Sequence, residues 1–207
     1  MNIKNEALRY LGYKGEPDNI TALLLERAEK AFSEIAPAFC YKVMHKEECE
    51  RLLSGGDIRN HLRGCEKIII FAATLGIAAE RLIRTAEVSD MAYAVVLDAY
   101  GSAFIENFCD KCEKEMKERT GGFFTWRYSP GYGDYPISLQ SEFIRFLSAD
   151  KQIGLTVTEN HILIPRKSVT AVIGISDNNP IAEKSGCDSC GMKETCNYRK
   201  DGQDCGC

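Results

Sequence analysis

The residues with the clearest chemical potential lie between Arg127 and Pro136, in the sequence RYSPGYGDYP. This segment holds two glycines, two prolines, three tyrosines and an arginine, more turn-forming and aromatic residues than a simple connection needs. Pro130 fixes its own φ, and Gly131 and Gly133 permit positive φ, so we predict a rigid turn with exposed backbone groups. The arginine can pair with a carboxylate, and the tyrosine rings offer flat apolar faces. Together these groups suit a small zwitterionic ligand with a flat ring.

Three segments carry a resemblance to one known family. The motif RxxPGY, Arg127 to Tyr132, resembles the S-adenosylmethionine-binding turn of the activation domain of cobalamin-dependent methionine synthase. The sequence GLTVTENHILIPRKSVTAVIGIS, residues 154–176, is similar to a later segment of that domain. The sequence AFIENF, residues 103–108, is similar to the family helix that supplies a ligand-facing glutamate. The resemblance is good over residues 92–176 and loose over the first third of the chain, and it extends to small stand-alone versions of the domain.

The resemblance implies a function and a set of site residues. The chain would bind S-adenosylmethionine and support reductive methylation of the cobalamin on a separate corrinoid methyltransferase, such as methionine synthase. A flavodoxin or ferredoxin would supply electrons. In this interpretation Arg127 pairs with the ligand carboxylate, Glu106 faces the positive groups, Ser129 offers backbone contacts and Tyr132 packs near the ligand or the corrin. The protein would then be the activation component of a methyltransferase in methionine biosynthesis. Where the family has cysteine and histidine after PGY, this chain has GDYP.

Composition limits the class of protein. The 207 residues are 44% hydrophobic and 27% charged, as expected of a globular domain. A net charge of -4 without a long basic run argues against a nucleic-acid partner. No apolar run approaches the ~20 residues that span a bilayer, and no secretory signal is recognisable at the start of the sequence. We therefore expect a cytoplasmic protein without membrane segments.

The periodicity predicts an α+β fold with a mainly antiparallel sheet and a long central helix, formed by residues 1–177. The continuous apolar run KIIIFAAT, residues 67–74, predicts a strand buried on both faces. The longest helix should start at residue 89 or 90, end near residue 119 and stop at two glycines. Ser138 should cap the helix 139–147. Other predicted elements are a helix over 19–36 and strands over 38–44, 123–128, 155–158, 162–164 and 169–175.

Several polar residues in these elements have two interpretations. Glu106 and Asp98 interrupt the apolar first half of the long helix, and an uncompensated buried carboxylate is costly, so each is a candidate site residue. For Asp98 we favour a surface charge. Arg166 and Lys167 could hold an anion or an acidic partner surface, or could lie in a solvated loop.

The composition changes after residue 177. Residues 178–207 contain five cysteines and almost no core-forming side chains. Cys187, Cys190 and Cys196 have the spacing CxxCx5C, with Cys205 or Cys207 as a fourth ligand, which would suit zinc or an iron-sulfur cluster. A disordered thiol-rich tail explains the same composition equally well. Two functional alternatives follow: a metal- or cluster-carrying electron-transfer protein centred on these cysteines, and an interaction module that binds no small ligand.

Overall fold

A computed structural model describes residues 2–178. Its centre is an antiparallel sheet of four strands in the order β1-β2-β6-β3. The strands are β1 (Ala38–His45), β2 (Lys67–Thr74), β6 (Ser168–Ser176) and the short β3 (Phe123–Phe124). The side chains of β2 from Ile68 onward are buried, as its continuous apolar sequence predicted. The mixed helical and antiparallel architecture is also as predicted.

Successive side chains of the central strands point to opposite faces of the sheet, and each face has its own hydrophobic cluster. Odd-numbered residues such as Phe71 and Ile173 face one hydrophobic cluster, and even-numbered residues such as Ile70 and Val172 face the other. Four helices cover the first face: α1 (Ile3–Tyr10), α2 (Asn19–Phe32), α4 (Gly76–Ser89) and α5 (Met91–Thr120). We call this side the helical face.

The opposite face is covered by shorter elements. They are a 3-10 segment (Lys46–Leu52), α3 (Gly56–His61), a second 3-10 segment (Ile137–Leu139), α6 (Gln140–Leu147) and α7 (Ala149–Ile153). A separate hairpin joins β4 (Thr156–Val157) to β5 (Leu163–Ile164). The sequence did not predict α1 or α3, because both are too short to show a clear apolar period. None of the helices in residues 2–178 is long and apolar enough to cross a membrane.

The long helix α5 forms close to the predicted bounds. Asp90 caps its start by accepting a hydrogen bond from the backbone N–H of Tyr93 at 3.1 Å. Gly121, with φ of 69°, ends it, and Lys117 and Arg119 lie in the last turn, where cations favour the helix dipole. Its first half is buried against the sheet and α2. The helix therefore offers a fixed surface on which the site can be built.

Three of the predicted boundaries are wrong. The helix predicted over residues 19–36 ends at Phe32, where Ser33 forms the C-cap. Ser138 does not cap α6: it lies inside the 3-10 segment that precedes the helix, and no side chain caps this start. The strand predicted over 123–128 pairs only at Phe123 and Phe124, and then again through a single bridge between Tyr128 and Val172.

The charged residues around Asp98 hold α4, α5 and the start of β6 together. The ammonium group of Lys167 lies 2.8 Å from the Asp98 carboxylate and donates to the Ser102 hydroxyl at 2.8 Å. The Arg166 guanidinium lies within 4 Å of Glu80, Glu87 and Asp98. Lys167 is therefore paired within the chain and not solvated, whereas the Arg166 side chain is 54% exposed and lies near three carboxylates, which disfavours an anion beside it.

Candidate functional site

The candidate site centres on a row of carboxylates along α5. Glu106, Asp110 and Glu113 are spaced so that all three lie on one face of the helix. The Arg127 guanidinium lies across this row and donates to Glu106 at 2.9 Å, to Asp110 at 3.1 Å and to Glu113. We call these four residues the Arg127 cluster. The structure thus brings together two of the predicted site residues, Arg127 and Glu106.

A bulge in the sheet edge explains how Arg127 reaches α5. Between the pairs Phe124–Ile175 and Tyr128–Val172, this edge advances four residues while β6 advances three. One extra residue changes which face the following side chains point to. Phe124 packs against the helical face, whereas Trp126 and Tyr128 pack on the opposite face. Arg127, between these two, is consequently directed at α5.

The charges of the cluster do not balance. Three ionised carboxylates face one guanidinium, which leaves two net negative charges. Burial raises the pKa of Glu113 in spite of Arg127 beside it. Burial lowers the pKa of Arg127, but Glu113 and the neighbouring acids outweigh this and the net shift is upward. The Arg127 side chain is 17% exposed and that of Asp110 is 52% exposed, so the excess negative charge is accessible to a cation from solvent.

A shallow depression adjoins this cluster. It has a volume of ≈ 420 Å³ and is lined by Asp110, Glu113, Lys114, Lys117, Phe124, Thr125 and Trp126. Ligand sites of about 300 to 1,000 Å³ are typical for small molecules. A second depression of ≈ 440 Å³ lies on the opposite face, between residues 47–52 and α6. We favour the first, because it shares Asp110 and Glu113 with the Arg127 cluster.

The turn after Arg127 is less open than the sequence predicted, because several of the backbone groups that we expected to be exposed pair with one another. The N–H of Gly131 donates to the Tyr135 carbonyl at 2.8 Å, and the N–H of Tyr132 donates to the Ser129 carbonyl at 3.2 Å. Gly131 and Gly133 have φ of 102° and 52°, which favours glycine. The Ser129 carbonyl is therefore used within the turn.

The tyrosines of this segment differ in their environment. Tyr135 is buried and donates its hydroxyl hydrogen to the Leu52 carbonyl at 2.5 Å. Tyr128 is also buried, between the rings of His61, Trp126 and Tyr132. Only Tyr132 of the three is exposed, which corrects the prediction that all three offer faces to a ligand. Tyr132 packs on the Tyr128 ring, on the other side of the sheet edge from Glu106.

Asp110 and Glu113 are the site residues that the sequence reasoning missed. Their spacing from Glu106 along the helix was the available signal, because positions four and seven residues later lie on the same face. The predicted tail ligands Cys187, Cys190, Cys196 and Cys205 lie outside the described residues. Within residues 2–178, no group of three or more His, Cys, Asp or Glu side chains could hold a metal ion. The cysteines of that part of the chain, including Cys109 and Cys112, are buried free thiols.

His61 supports the base of the turn from α3. Its Nε2 lies 2.9 Å from the Trp126 carbonyl, which can only accept, so Nε2 carries the hydrogen of the neutral ring. The imidazole also packs on the Trp126 and Tyr128 rings, with centroids 4.5 and 5.0 Å away. Burial lowers the pKa of His61 to about 4.

This shift predicts a loss of stability in mild acid. The unfolded chain protonates His61 near pH 6.5, whereas the folded protein does so only near its lowered pKa. The unfolded state therefore gains protons first as the pH falls, and the free energy of unfolding should drop by about 2 kcal/mol between about pH 8 and about pH 5. Urea unfolding of wild type and His61→Gln would isolate this contribution, because glutamine can donate to Trp126 without titrating. Equal pH slopes for the two proteins would contradict the assignment.

Comparison with known proteins identifies a solved structure of similar fold. No protein-family model matches the chain, and no curated protein matches it in sequence. Among solved structures, the crystal structure of the MetH reactivation domain bound to AdoHcy matches with a TM-score of 0.62 and 14% sequence identity. The match covers 97% of this chain and 83% of that chain. The chain is thus similar in fold to the MetH reactivation domain.

Proposed function

We propose that the protein binds S-adenosylmethionine and supports reductive methylation of the cobalamin on a separate methyltransferase, such as methionine synthase. The observation that carries this proposal is the Arg127 cluster, whose arginine is the first residue of the RxxPGY motif, in a chain similar in fold to the MetH reactivation domain. That domain was crystallised with AdoHcy, the demethylated form of the proposed ligand. A corrinoid protein as partner and a flavodoxin or ferredoxin as electron donor belong to the same proposal.

The charges of the ligand complement those of the cluster. S-Adenosylmethionine carries an ammonium, a sulfonium and a carboxylate, so its net positive charge would reduce the excess negative charge at α5. Glu106 and Asp110, the more exposed carboxylates, would face the ammonium and sulfonium groups. Arg127 would exchange one of these two contacts for the ligand carboxylate while Glu113 keeps it in place. The adenine would lie in the adjoining depression, against Phe124 and Trp126.

The protein would contribute binding and orientation to the reaction. Bound S-adenosylmethionine supplies a methyl group activated by its positive sulfur, and reduced cobalt on the partner would accept it. No general acid or base is needed for such a transfer. The residues of the cluster would hold the amino-acid end and so fix the direction of the methyl group. Tyr132, which is exposed on the turn but on the other side of the sheet edge from Glu106, would lie towards the corrin of the partner and not against the amino-acid end of the ligand.

Calorimetric titration tests the ligand assignment. Wild-type protein should bind S-adenosylmethionine several-fold more tightly than S-adenosylhomocysteine, because the latter lacks the sulfonium charge. Glu106→Gln and Asp110→Asn should each weaken S-adenosylmethionine binding by about 1 kcal/mol, a modest value since both side chains are partly solvated.

The matched control for these variants is Glu115→Gln. Glu115 lies on the same helix but pairs with Arg119 through an exposed ion pair, so its replacement should leave the affinity unchanged. Absence of heat with millimolar S-adenosylmethionine, with and without a corrinoid protein, would refute the proposed ligand. Equal affinity of wild type and both cluster variants would refute this location of its binding site.

The cysteines beyond residue 177 remain a separate proposal. Cys187, Cys190, Cys196 and Cys205 would hold zinc or an iron-sulfur cluster that exchanges electrons with, or docks on, the same partner.

A further inference from the structure

The turn that carries Tyr132 is attached to α3 by two carboxylates. Asp134 Oδ2 accepts from the N–H of Gly56 at 2.5 Å, and its Oδ1 accepts from the N–H of Asp57 at 3.0 Å. In return, Asp57 Oδ2 accepts from the N–H of Asp134 at 3.1 Å. These reciprocal contacts join residues that are 77 and 78 positions apart in the chain. We call them the Asp57–Asp134 clasp.

The glycines beside the clasp allow this close approach. A Cβ on Gly55 would lie 2.6 Å from Asp134 Oδ1, and Gly55 has φ of 127°, which side chains rarely adopt. A Cβ on Gly133, which has φ of 52°, would lie 2.1 Å from Asp57 Oδ2. Both sides of the contact therefore depend on the absence of a side chain. The backbone N–H groups of Asp57 and Gly56 also lower the pKa of Asp134, which keeps it an acceptor.

Tyr128 connects the clasp to the candidate site. The Cβ position of Gly133 is 2.9 Å from the Tyr128 hydroxyl, so the clasped turn lies directly over this side chain. The Tyr128 ring also contacts Tyr132 and Trp126, at centroid distances of 6.0 and 5.0 Å. Its backbone N–H and carbonyl both pair with Val172 at 2.9 Å. Trp126 lines the depression, and Arg127, next in the chain, lies on the α5 carboxylates.

We propose that the Asp57–Asp134 clasp positions the candidate site from the opposite face of the sheet. The clasp fixes the turn, the turn covers Tyr128, and Tyr128 fixes Trp126 and the backbone that carries Arg127. Asp57 and Asp134 are then positioning residues that need no contact with the ligand. The part of this inference that concerns affinity rests on the proposed binding of S-adenosylmethionine, and the part that concerns Trp126 does not.

Two readouts test the clasp. Trp126 is the only tryptophan of the sequence, so its fluorescence reports this region without any ligand. Asp134→Ala and Asp57→Ala should shift the emission to longer wavelength and increase acrylamide quenching, because the indole becomes more exposed to water. Both variants should also bind S-adenosylmethionine about 2- to 30-fold more weakly, the range typical of residues that act on a site through packed neighbours.

Conservative and control variants separate positioning from general destabilisation. Asp134→Asn keeps one acceptor oxygen for the Asp57 N–H, so its Trp126 fluorescence and its affinity for S-adenosylmethionine should lie between those of wild type and Asp134→Ala. Gly133→Ala should reproduce the defect in wild type and have a smaller effect in Asp57→Ala, because the collision with the Asp57 carboxylate is then gone while the close approach to the Tyr128 hydroxyl and the positive φ remain. Asp150→Ala removes an exposed carboxylate on α7 and should change neither readout.

The outcomes distinguish the two proposals. If wild type binds no S-adenosylmethionine, the proposed function fails and the fluorescence of the variants alone decides whether the clasp positions Trp126. If Asp134→Ala and Asp57→Ala have wild-type emission, quenching and affinity, the clasp proposal is overturned. If both readouts change in the clasp variants and Asp134→Asn restores them in part, the clasp positions the site.

Discussion

Replacement of Arg127 by alanine is expected to lower the free energy of unfolding by about 2 to 4 kcal/mol at neutral pH. The arginine is the cation placed among Glu106, Asp110 and Glu113, and its side chain is mostly buried. Without it, three carboxylates repel one another, and Glu113 remains desolvated and unpaired. The value lies below that for a fully buried ion pair, because Glu106 and Asp110 retain contact with water. Arg127 thus stabilises the fold as well as serving as the proposed ligand contact.

The pH dependence identifies the cause of this loss. Burial already raises the pKa of Glu113, and removal of Arg127 should raise it further. The unpaired Glu113 carboxyl destabilises the folded state only when it is ionised. The difference in free energy of unfolding between wild type and Arg127→Ala should therefore become smaller as the pH falls through the raised pKa. Urea unfolding followed by circular dichroism would measure it. The double variant Arg127→Ala/Glu113→Gln should be more stable than Arg127→Ala at neutral pH. If the stability difference did not depend on pH, and the double variant were no more stable than Arg127→Ala, the loss would come from packing alone.

Glu80→Ala is expected to lower the free energy of unfolding by about 2 to 3 kcal/mol. The Glu80 side chain is only 6% exposed, and its carboxylate accepts from the backbone N–H of Arg166 at 2.7 Å and from the Arg84 guanidinium at 3.0 Å. Alanine would leave the N–H of Arg166 without this acceptor at the point where the chain enters β6. The attachment of α4 to the central sheet should weaken as a result.

Neighbouring variants make this measurement specific. Glu80→Gln keeps one oxygen acceptor and should lose less than Glu80→Ala. Glu87→Ala removes a half-exposed carboxylate 3.8 Å from Arg166 and should cost well under 1 kcal/mol. Thermal and urea unfolding of the three variants would rank them. A loss for Glu87→Ala as large as that for Glu80→Ala would show that total charge near Arg166, rather than the buried contact, sets the stability.

The elements that could be predicted from sequence are those with long apolar patterns. Strand β2 has the predicted bounds because its run of apolar residues is buried on both sides. Helix α5 likewise has a recognisable cap in Asp90 and a glycine stop at Gly121. In contrast, the bulge between Phe124 and Tyr128 depends on the pairing partner in β6 and leaves no local pattern. The sequence therefore predicted a continuous strand where the chain changes face.

The candidate site was predictable only in part for a related reason. Resemblance to a family pointed to Arg127 and Glu106, and these residues do meet in the structure. Asp110 and Glu113 could have been added from helical spacing. No local rule could have paired Asp134 with Asp57, because contacts between distant loops follow from the tertiary fold. The resemblance says nothing of this contact either, since GDYP is where this chain departs from the family.

The order of the strands in the sheet determines which of them can pair while the protein is being synthesised. Strand β6 ends at Ser176 yet lies between β2 and β3, which are complete by residues 74 and 124. While the intervening residues are being synthesised, β2 can pair with β1 on one side, but the backbone groups of its other edge have no partner strand. Closing the sheet then requires contacts between residues about a hundred positions apart, which slows folding. Until β6 is available, this edge of β2 is open to pairing with strands of other chains, which makes the incomplete chain prone to aggregation.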